Sequence, residues 1–420
     1  MEKLFLSSLF SLLLFVHSVS AYTTYNVISF GANPDGRTDS TQPFRNAWSS
    51  ACASTSPAII YVPSGRYLLG HIVFHGGCRN SDVRIIIQGT LVAPYNYREF
   101  SNISNWLAFQ NVNGVSIYGG TLDGQGSSLW YCKSTGNSCP TGARSLVFRD
   151  SRNILINGVT SISSQKFHFV LDNAQNVTMQ GVVISAPGNS PNTDGIHVEK
   201  STNVRIVNSG IRTGDDCISV GPGTRNLWIE NIACGPGHGI SIGSLGWSLN
   251  ESGVKNVTVK NVTMTGTTNG LRIKSWARPS NGFARGIVFE NVRMENVRNP
   301  IIIDQNYCSS SATSCPHKAS SITVSQVTYR GIRGTSATPT AVKINCSVAK
   351  PCTGIRLEDI TLTYQNQIAK SFCAHAHGIA AGLIKPSSLA IHISDYVVAL
   401  MLHIIVKCSR VSALYFKDKF

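Results

Sequence analysis

Asn153-Ile-Leu-Ile156, Asn176-Val-Thr-Met179, Asn203-Val-Arg-Ile206, Asn226-Leu-Trp-Ile229 and Asn256-Val-Thr-Val259 repeat a single pattern along the chain. An asparagine opens each copy. Apolar and variable side chains then alternate, which is the period of a half-buried strand. Gly114-Val-Ser-Ile117, Gly286-Ile-Val-Phe289 and Gly354-Ile-Arg-Leu357 continue the pattern with glycine first, and Ser321-Ile-Thr-Val324 with serine. From Asn153 to Gly354 the copies recur roughly every 23 to 35 residues, the spacing of solenoid repeats. A second short strand follows most of them, as in Gly195-Ile-His-Val198, Cys217-Ile-Ser-Val220 and Gly239-Ile-Ser-Ile242. Without crossover helices such strands do not build a doubly wound sheet, and the long connections do not suit a hairpin sandwich. The expectation is an all-β, single-stranded parallel β-helix, one coil per repeat, with strands stacked about 4.8 Å apart.

The ends of the chain read differently. Met1 to Ala21 opens with Lys3, runs apolar from Leu4 to Val16 and closes on Ser18, Ser20 and Ala21, the layout of a secretory signal peptide. Its apolar run falls short of the ~20 residues that a membrane span needs. Tyr25-Asn-Val-Ile-Ser-Phe-Gly-Ala32 alternates like a strand. Phe44, Ala47, Trp48, Ala51 and Cys52 then fall at helical spacing behind Pro43, which predicts one short N-terminal helix. Residues 390–420 form an apolar tail, expected to cover the last coil and not to enter a membrane. Between signal and tail, residues 22–389 read as one β-helix domain.

Composition narrows the partner. Hydrophobic residues make up 42% of the 420 and charged residues 14%, so a large core is available and wholesale disorder is excluded. The 37 glycines follow no triplet period, which excludes collagen. With 36 Lys+Arg against 21 Asp+Glu the net charge is +15, which suits a polyanion: nucleic acid, an anionic surface or an acidic polysaccharide. The basic residues are scattered and not interleaved with aromatics, and secretion weakens the nucleic-acid reading further. Six N-x-S/T sequons, at Asn102, Asn176, Asn250, Asn256, Asn261 and Asn345, agree with an extracellular destination.

The 12 cysteines read as disulfides of an oxidising compartment. Cys217 and Cys234 sit in adjacent repeats, where a bridge would staple two coils. Cys132 with Cys139, Cys308 with Cys315, and Cys346 with Cys352 would each close a small loop, and Cys52 could tie the helix to Cys78. Cys373 and Cys408 are left over, and sequence alone proves none of these pairings.

Chemistry concentrates between Asn192 and Lys274. Asn192-Thr-Asp-Gly195, Gly214-Asp-Asp-Cys217, Gly237-His-Gly239 and Arg272-Ile-Lys274 place Asp194, Asp215, Asp216, His238, Arg272 and Lys274 at about one-coil intervals, hence on one face. Converging carboxylates repel one another, so their presence there suggests a task. Without a Cys or His cluster, that task is acid and base catalysis on a glycosidic bond: one carboxyl protonates the leaving oxygen and another activates water. His238 would tune or orient the acid. Arg272 and Lys274 alternate around Ile273 and so point the same way, and an arginine fork suits a sugar carboxylate. Singly, each residue has a bland reading, such as a turn-capping Asp or a solvated cation. Six in register do not.

These motifs resemble those of the polygalacturonases of glycoside hydrolase family 28, in its plant branch. The resemblance extends to Val27-Ile-Ser-Phe-Gly-Ala32 and Leu122-Asp-Gly-Gln-Gly126 and spans about Tyr25 to Gln367. It implies a right-handed parallel β-helix that hydrolyses α-1,4 bonds of polygalacturonate with inversion. By motif, it implies Asp215 as general acid, Asp194 and Asp216 as the pair that positions and activates water, and His238 as the acid's assistant. Arg272 and Lys274 would hold a galacturonate carboxylate, with Tyr307 and Asn192 also contacting substrate. No metal or cofactor is implied. An inverting pair is expected to stand about 6.5–9.5 Å apart. Ser388 stands where the family places the partner of Cys373, so either Cys408 substitutes or Cys373 stays reduced.

The reading that follows is a secreted cell-wall hydrolase, monomeric and endo-acting, whose partner is pectin, with no nucleic acid and no membrane span in the mature chain. Its rivals are an exo-acting enzyme or rhamnogalacturonan hydrolase of the same fold, and a non-catalytic pectin-binding wall glycoprotein. A pectate lyase would need calcium ligands and a basic proton abstractor, which the Asp-Asp pair with His238 does not supply.

Overall fold

The computed structural model describes residues 22–136, 138–308, 315–316 and 318–386, and the backbone of 404–408. The expected signal peptide and the boundary at residue 389 lie outside the described residues.

The asparagine that heads each repeat has a backbone reason. Asn153, Asn176, Asn203, Asn226 and Asn256 hold φ between 54° and 57°, the left-handed region that asparagine tolerates better than most residues with a Cβ. Their side chains stack from coil to coil. Asn153 Nδ2 donates to Asn113 Oδ1 (2.7 Å), Asn176 to Asn153 (3.2 Å), Asn203 to Asn176 (3.2 Å), Asn226 to Asn203 (3.0 Å) and Asn256 to Asn226 (3.1 Å). Gly114, Gly286 and Gly354 take the same corner at φ 72°, 66° and 62° without needing the ladder.

After that corner the strands run parallel in constant register. Val115, Ile154, Val177, Val204, Leu227, Val257, Ile287, Val327 and Ile355 form one continuous column, every member buried. One copy was misplaced by sequence. The position equivalent to Ile287 is Val327, headed by Gln326 at φ 54°, whereas Val324 pairs with Ala284 before the corner. Glutamine is a weaker left-handed signal than asparagine, and the Ser321 stretch imitated the pattern.

The result is a right-handed parallel β-helix. One of its faces is an 11-stranded sheet in strict chain order from Ile72–His75 to Lys370–Ala374. Inside, Phe74, Phe109 and Phe148 stack at 4.7 and 4.8 Å between centroids, continuing the register of their strands.

The N-terminal helix spans Thr41–Ala53 and buries Phe44, Ala47, Trp48 and Ala51, while Trp48 Nε1 donates to the carbonyl of His75 at 3.0 Å. It covers apolar side chains that the first coil would otherwise expose. Ahead of it, the alternating segment is a strand only over Thr23–Asn26. Val27–Phe30 turns as a 3-10 helix, because Asn26 Oδ1 accepts from Ile28 N and Gly31 closes the turn at φ 93°. A second helix, Ser127–Ser134, which the periodicity did not announce, carries Cys132 in its last turn, where the Cys132–Cys139 bridge begins.

The five expected disulfides are present: Cys52–Cys78, Cys132–Cys139, Cys217–Cys234, Cys308–Cys315 and Cys346–Cys352. Cys373 is also disulfide-bonded; the side chain of Cys408 lies outside the described residues. At the C-terminal end, Ala376–Lys385 adds parallel to Cys352–Tyr364, and the backbone of Ile404–Cys408 then runs antiparallel along it. A reversed strand there occupies the last open hydrogen-bonding edge. No described helix is long and apolar enough to cross a membrane.

Candidate active site

Four neighbouring strands of the 11-stranded sheet, Ile196–Glu199, Ile218–Val220, Ile240–Leu245 and Asn269–Trp276, carry the site. Ile196, Ile218, Ile240 and Leu271 share one register. Asp194, Asp216 and His238 therefore occupy the same place in successive coils, two residues ahead of each strand. Glycine makes this possible at His238. Gly237 and Gly239 have φ 147° and 81°, and a Cβ on them would meet the Asp215 carbonyl oxygen at 2.7 Å and that of Asn269 at 2.0 Å.

The three carboxylates live in different surroundings. Asp216 is 1% exposed, and its two oxygens are taken from two sides. Oδ1 accepts from Arg272 Nη2 (2.6 Å) and Ser241 Oγ (2.8 Å), and Oδ2 from Lys274 Nζ (3.0 Å). Burial pushes this carboxyl up, but Lys274 and Arg272 outweigh it and hold it down at about 2. Asp194 is 6% exposed and accepts from Ser219 Oγ at 2.6 Å. It makes no ion pair among the described residues, and burial first, and then the charges of Asp215 and Asp216, raise it well above the ordinary carboxylate range. Asp215 is the most open of the three, its side chain 20% exposed, with Oδ1 2.9 Å from His238 Nδ1 and accepting from the Asp216 amide at 2.8 Å.

A polar column crosses the strands beside them. His197, Ser219, Ser241 and Arg272 pair residue to residue across the sheet. His197 Nδ1 lies 2.8 Å from Ser219 Oγ, and Arg272 Nε donates to Ser241 Oγ at 2.9 Å. Burial, followed by the repulsion of Arg144, lowers His197 to about 4, so the imidazole is neutral at mildly acidic pH. Sequence reasoning passed over His197, Ser219 and Ser241. Their signal was present in Ile196-His-Val198, Ile218-Ser-Val220 and Ile240-Ser-Ile242, where one polar residue between two buried ones faces outward.

The site opens as a cleft of about 690 Å³ lined by Asn192, Asp194, Asp215, Asp216, His238, Arg272, Lys274 and Tyr307, together with Phe167 and His197. All eight residues expected from sequence thus lie on one cavity. Two expectations change. Arg272 and Lys274 do point the same way, but onto Asp216, so a substrate carboxylate would share them with it. The nearest ligand atoms of Asp215, Asp216 and His238 lie within 4.8 Å of one another, closer than the span expected of an inverting pair. Such a trio resembles a metal-binding set, yet both Asp216 oxygens are committed to cations and a third cation beside Arg272 and Lys274 would be repelled.

A family model for glycosyl hydrolases family 28 matches residues 52–382. The chain belongs to this family. It is 57% identical to a polygalacturonase of Prunus persica over 387 residues, 91% of this chain and 98% of that one. With an exopolygalacturonase of Oenothera organensis it shares 42% over 333 residues, 78% of this chain and 91% of the relative. Among solved structures, the polygalacturonase of Erwinia carotovora superposes with a TM-score of 0.66 at 28% identity, covering 84% of this chain and 96% of that one. The endo-xylogalacturonan hydrolase of Aspergillus tubingensis reaches a TM-score of 0.73 at 22% identity, which speaks to the family fold alone.

Proposed function

We propose that this glycoside hydrolase cleaves the α-1,4-galacturonosyl bonds of polygalacturonate, acting as a secreted monomer on pectin of the cell wall, with no nucleic-acid partner. The carrying observation is the division of labour among the carboxylates. Asp216, locked in its ionised form by Arg272 and Lys274, is a ready base for water. In the same cleft, burial and its acidic neighbours raise the proton affinity of Asp194, so the carboxylates differ in the way that glycosidic cleavage uses. Asp215 is the acid in this reading, because it is the most open carboxyl and His238 orients it. Asp194 positions the water with Asp216, and Tyr307 and Asn192 border the sugar. The raised proton affinity of Asp194 favours a second reading, in which Asp194 is the acid and Asp215 helps to hold the water.

Purified mature protein is expected to release reducing ends from polygalacturonate at mildly acidic pH. Asp215→Asn should lower kcat about 10²–10⁴-fold with substrate binding retained, whereas the second reading puts that loss on Asp194→Asn with a displaced basic limb. A variant Asp215→Asn keeping a third of the turnover would remove it from the acid role. Products absorbing in the ultraviolet would indicate elimination and end the hydrolase reading. Inversion rests on the resemblance and not on carboxylate spacing; NMR of the first-formed anomer tests it. Endo action predicts that viscosity falls ahead of reducing-end release.

A further inference from the structure

Beyond Tyr307, at the edge of the cleft lining, ring contacts lead to side chains that neither the sequence motifs nor the acid–base chemistry use. Trp276, at the end of Asn269–Trp276, packs edge-on against Tyr307, with 5.2 Å between ring centroids. Trp247 packs edge-on against Trp276 at 5.3 Å. Trp276 is nearly buried at 7% exposure, whereas Trp247 is 61% exposed. The Arg278 guanidinium lies 4.4 Å from the Trp247 centroid and 5.8 Å from that of Trp276, and its Nη1 donates to the Trp247 carbonyl at 3.0 Å. Lys274 in turn lies 5.2 Å from the Tyr307 centroid, so a contiguous path of rings and cations runs from Asp216 to Trp247.

An indole this exposed loses free energy to water unless something covers it. Here hydrogen bonds also fix the backbone of the loop that carries it. Glu251 accepts from the amides of Gly246 (2.5 Å) and Trp247 (2.9 Å), and Asn281 N donates to the Leu249 carbonyl at 2.8 Å. An exposed aromatic on a hydrogen-bonded loop, beside a guanidinium whose other donors take no partner among the described residues, matches one ligand chemistry well: a sugar ring carrying a carboxylate. The apolar C–H face lies on the indole, and the carboxylate takes the arginine fork.

We propose that Trp247, Trp276 and Arg278 form an additional galacturonate-binding subsite, taking the sugar that lies beyond the one held at Lys274 and Tyr307. This rests on polygalacturonate being the substrate. Filling it makes cleavage efficiency depend on chain length, because binding energy from a remote sugar is used at the bond being broken.

The test is kcat/KM across oligogalacturonates of increasing length for wild type, Trp247→Ala and Arg278→Met. Both substitutions are at the surface, and unchanged melting temperatures would verify the fold. In wild type, efficiency should climb with length and then level off. Trp247→Ala should remove the last increment, about tenfold on long oligomers and polymer, with less than twofold change on the shortest cleaved oligomer. Arg278→Met should show a similar loss and abolish most of the salt dependence of that increment. A wild-type length dependence in Trp247→Ala, or an equal loss at every length, would overturn the proposal. If wild type cleaved no oligomer, the hydrolase reading would fall by itself. Quenching of tryptophan fluorescence by tetragalacturonate in wild type but not in Trp247→Phe would then still support the subsite, and equal quenching in the two would refute it.

Discussion

Lys274→Met separates the two duties of the basic pair. In wild type, Lys274 and Arg272 take the Asp216 carboxyl from its ordinary 3.8 to about 2 in spite of burial, a net preference for the ionised form of about 2 kcal/mol. Lys274 is the larger of the lowering influences and binds Oδ2 by itself. Without it, burial persists and only Arg272 and Ser241 on Oδ1 oppose it, so Asp216 should titrate near or above its ordinary value. The acid limb of the kcat/KM profile should therefore move up by about two pH units, since a base with a higher pKa is ionised only at higher pH. Weaker grip on the substrate carboxylate would instead lower rates by the same factor throughout. Stability should change in step. A depressed carboxylate contributes stability above pH 3.8 that is lost as pH falls towards 2. The variant should thus be less stable by roughly 2–3 kcal/mol at neutral pH, with the gap closing towards pH 2. Lys274→Arg should restore much of both effects. Titrating hydrolysis and melting from about pH 2 to 7, a range that spans both the depressed and the ordinary value, decides the matter. An unmoved acid limb with a uniform loss would refute the role of Lys274 in holding Asp216 ionised.

Asp194 titrates in the opposite sense. Its raised carboxyl lowers the stability of the folded state as pH rises above 3.8, so Asp194→Asn should melt roughly 2–4 °C higher than wild type at pH 7 and about equal to it near pH 3, while losing activity. Replacing Cys217 and Cys234 together by Ser opens a cross-link of 17 residues that ends beside Asp216, at a cost of about 3 kcal/mol in chemical denaturation. Truncation after Lys385 bares the edge of Ala376–Lys385, so solubility and melting temperature should drop with little change in activity per folded molecule, as read by gel filtration and active-site titration. Truncation after Gln367 should be more damaging, because it also removes the strands Lys370–Ala374 and Ala376–Lys385 of the last coil.

Much of this molecule is legible in its sequence, because the relevant physics is local. Asparagine at a left-handed corner followed by alternating apolar residues is a short-range instruction. A solenoid repeats it, so neighbouring copies point to the coil, the column Val115 to Ile355 and the shared face of Asp194, Asp216 and His238. Failures came where the local signal was imitated or diluted: Ser321 in place of Gln326, the 3-10 turn at Val27–Phe30, and the short helix Ser127–Ser134 that ends at a disulfide. What the tertiary structure alone decided is electrostatic. Sequence could place Arg272 and Lys274 on the side of the acids, but not show that both close on Asp216 and leave Asp194 without an ion pair among the described residues. Nor could it bring Trp247 and Arg278 against Trp276, which packs on Tyr307. Register aligns residues to within a coil, whereas the charge a carboxylate bears depends on burial and on ångström-scale distances to neighbours two coils away, and these exist only once the coils are stacked.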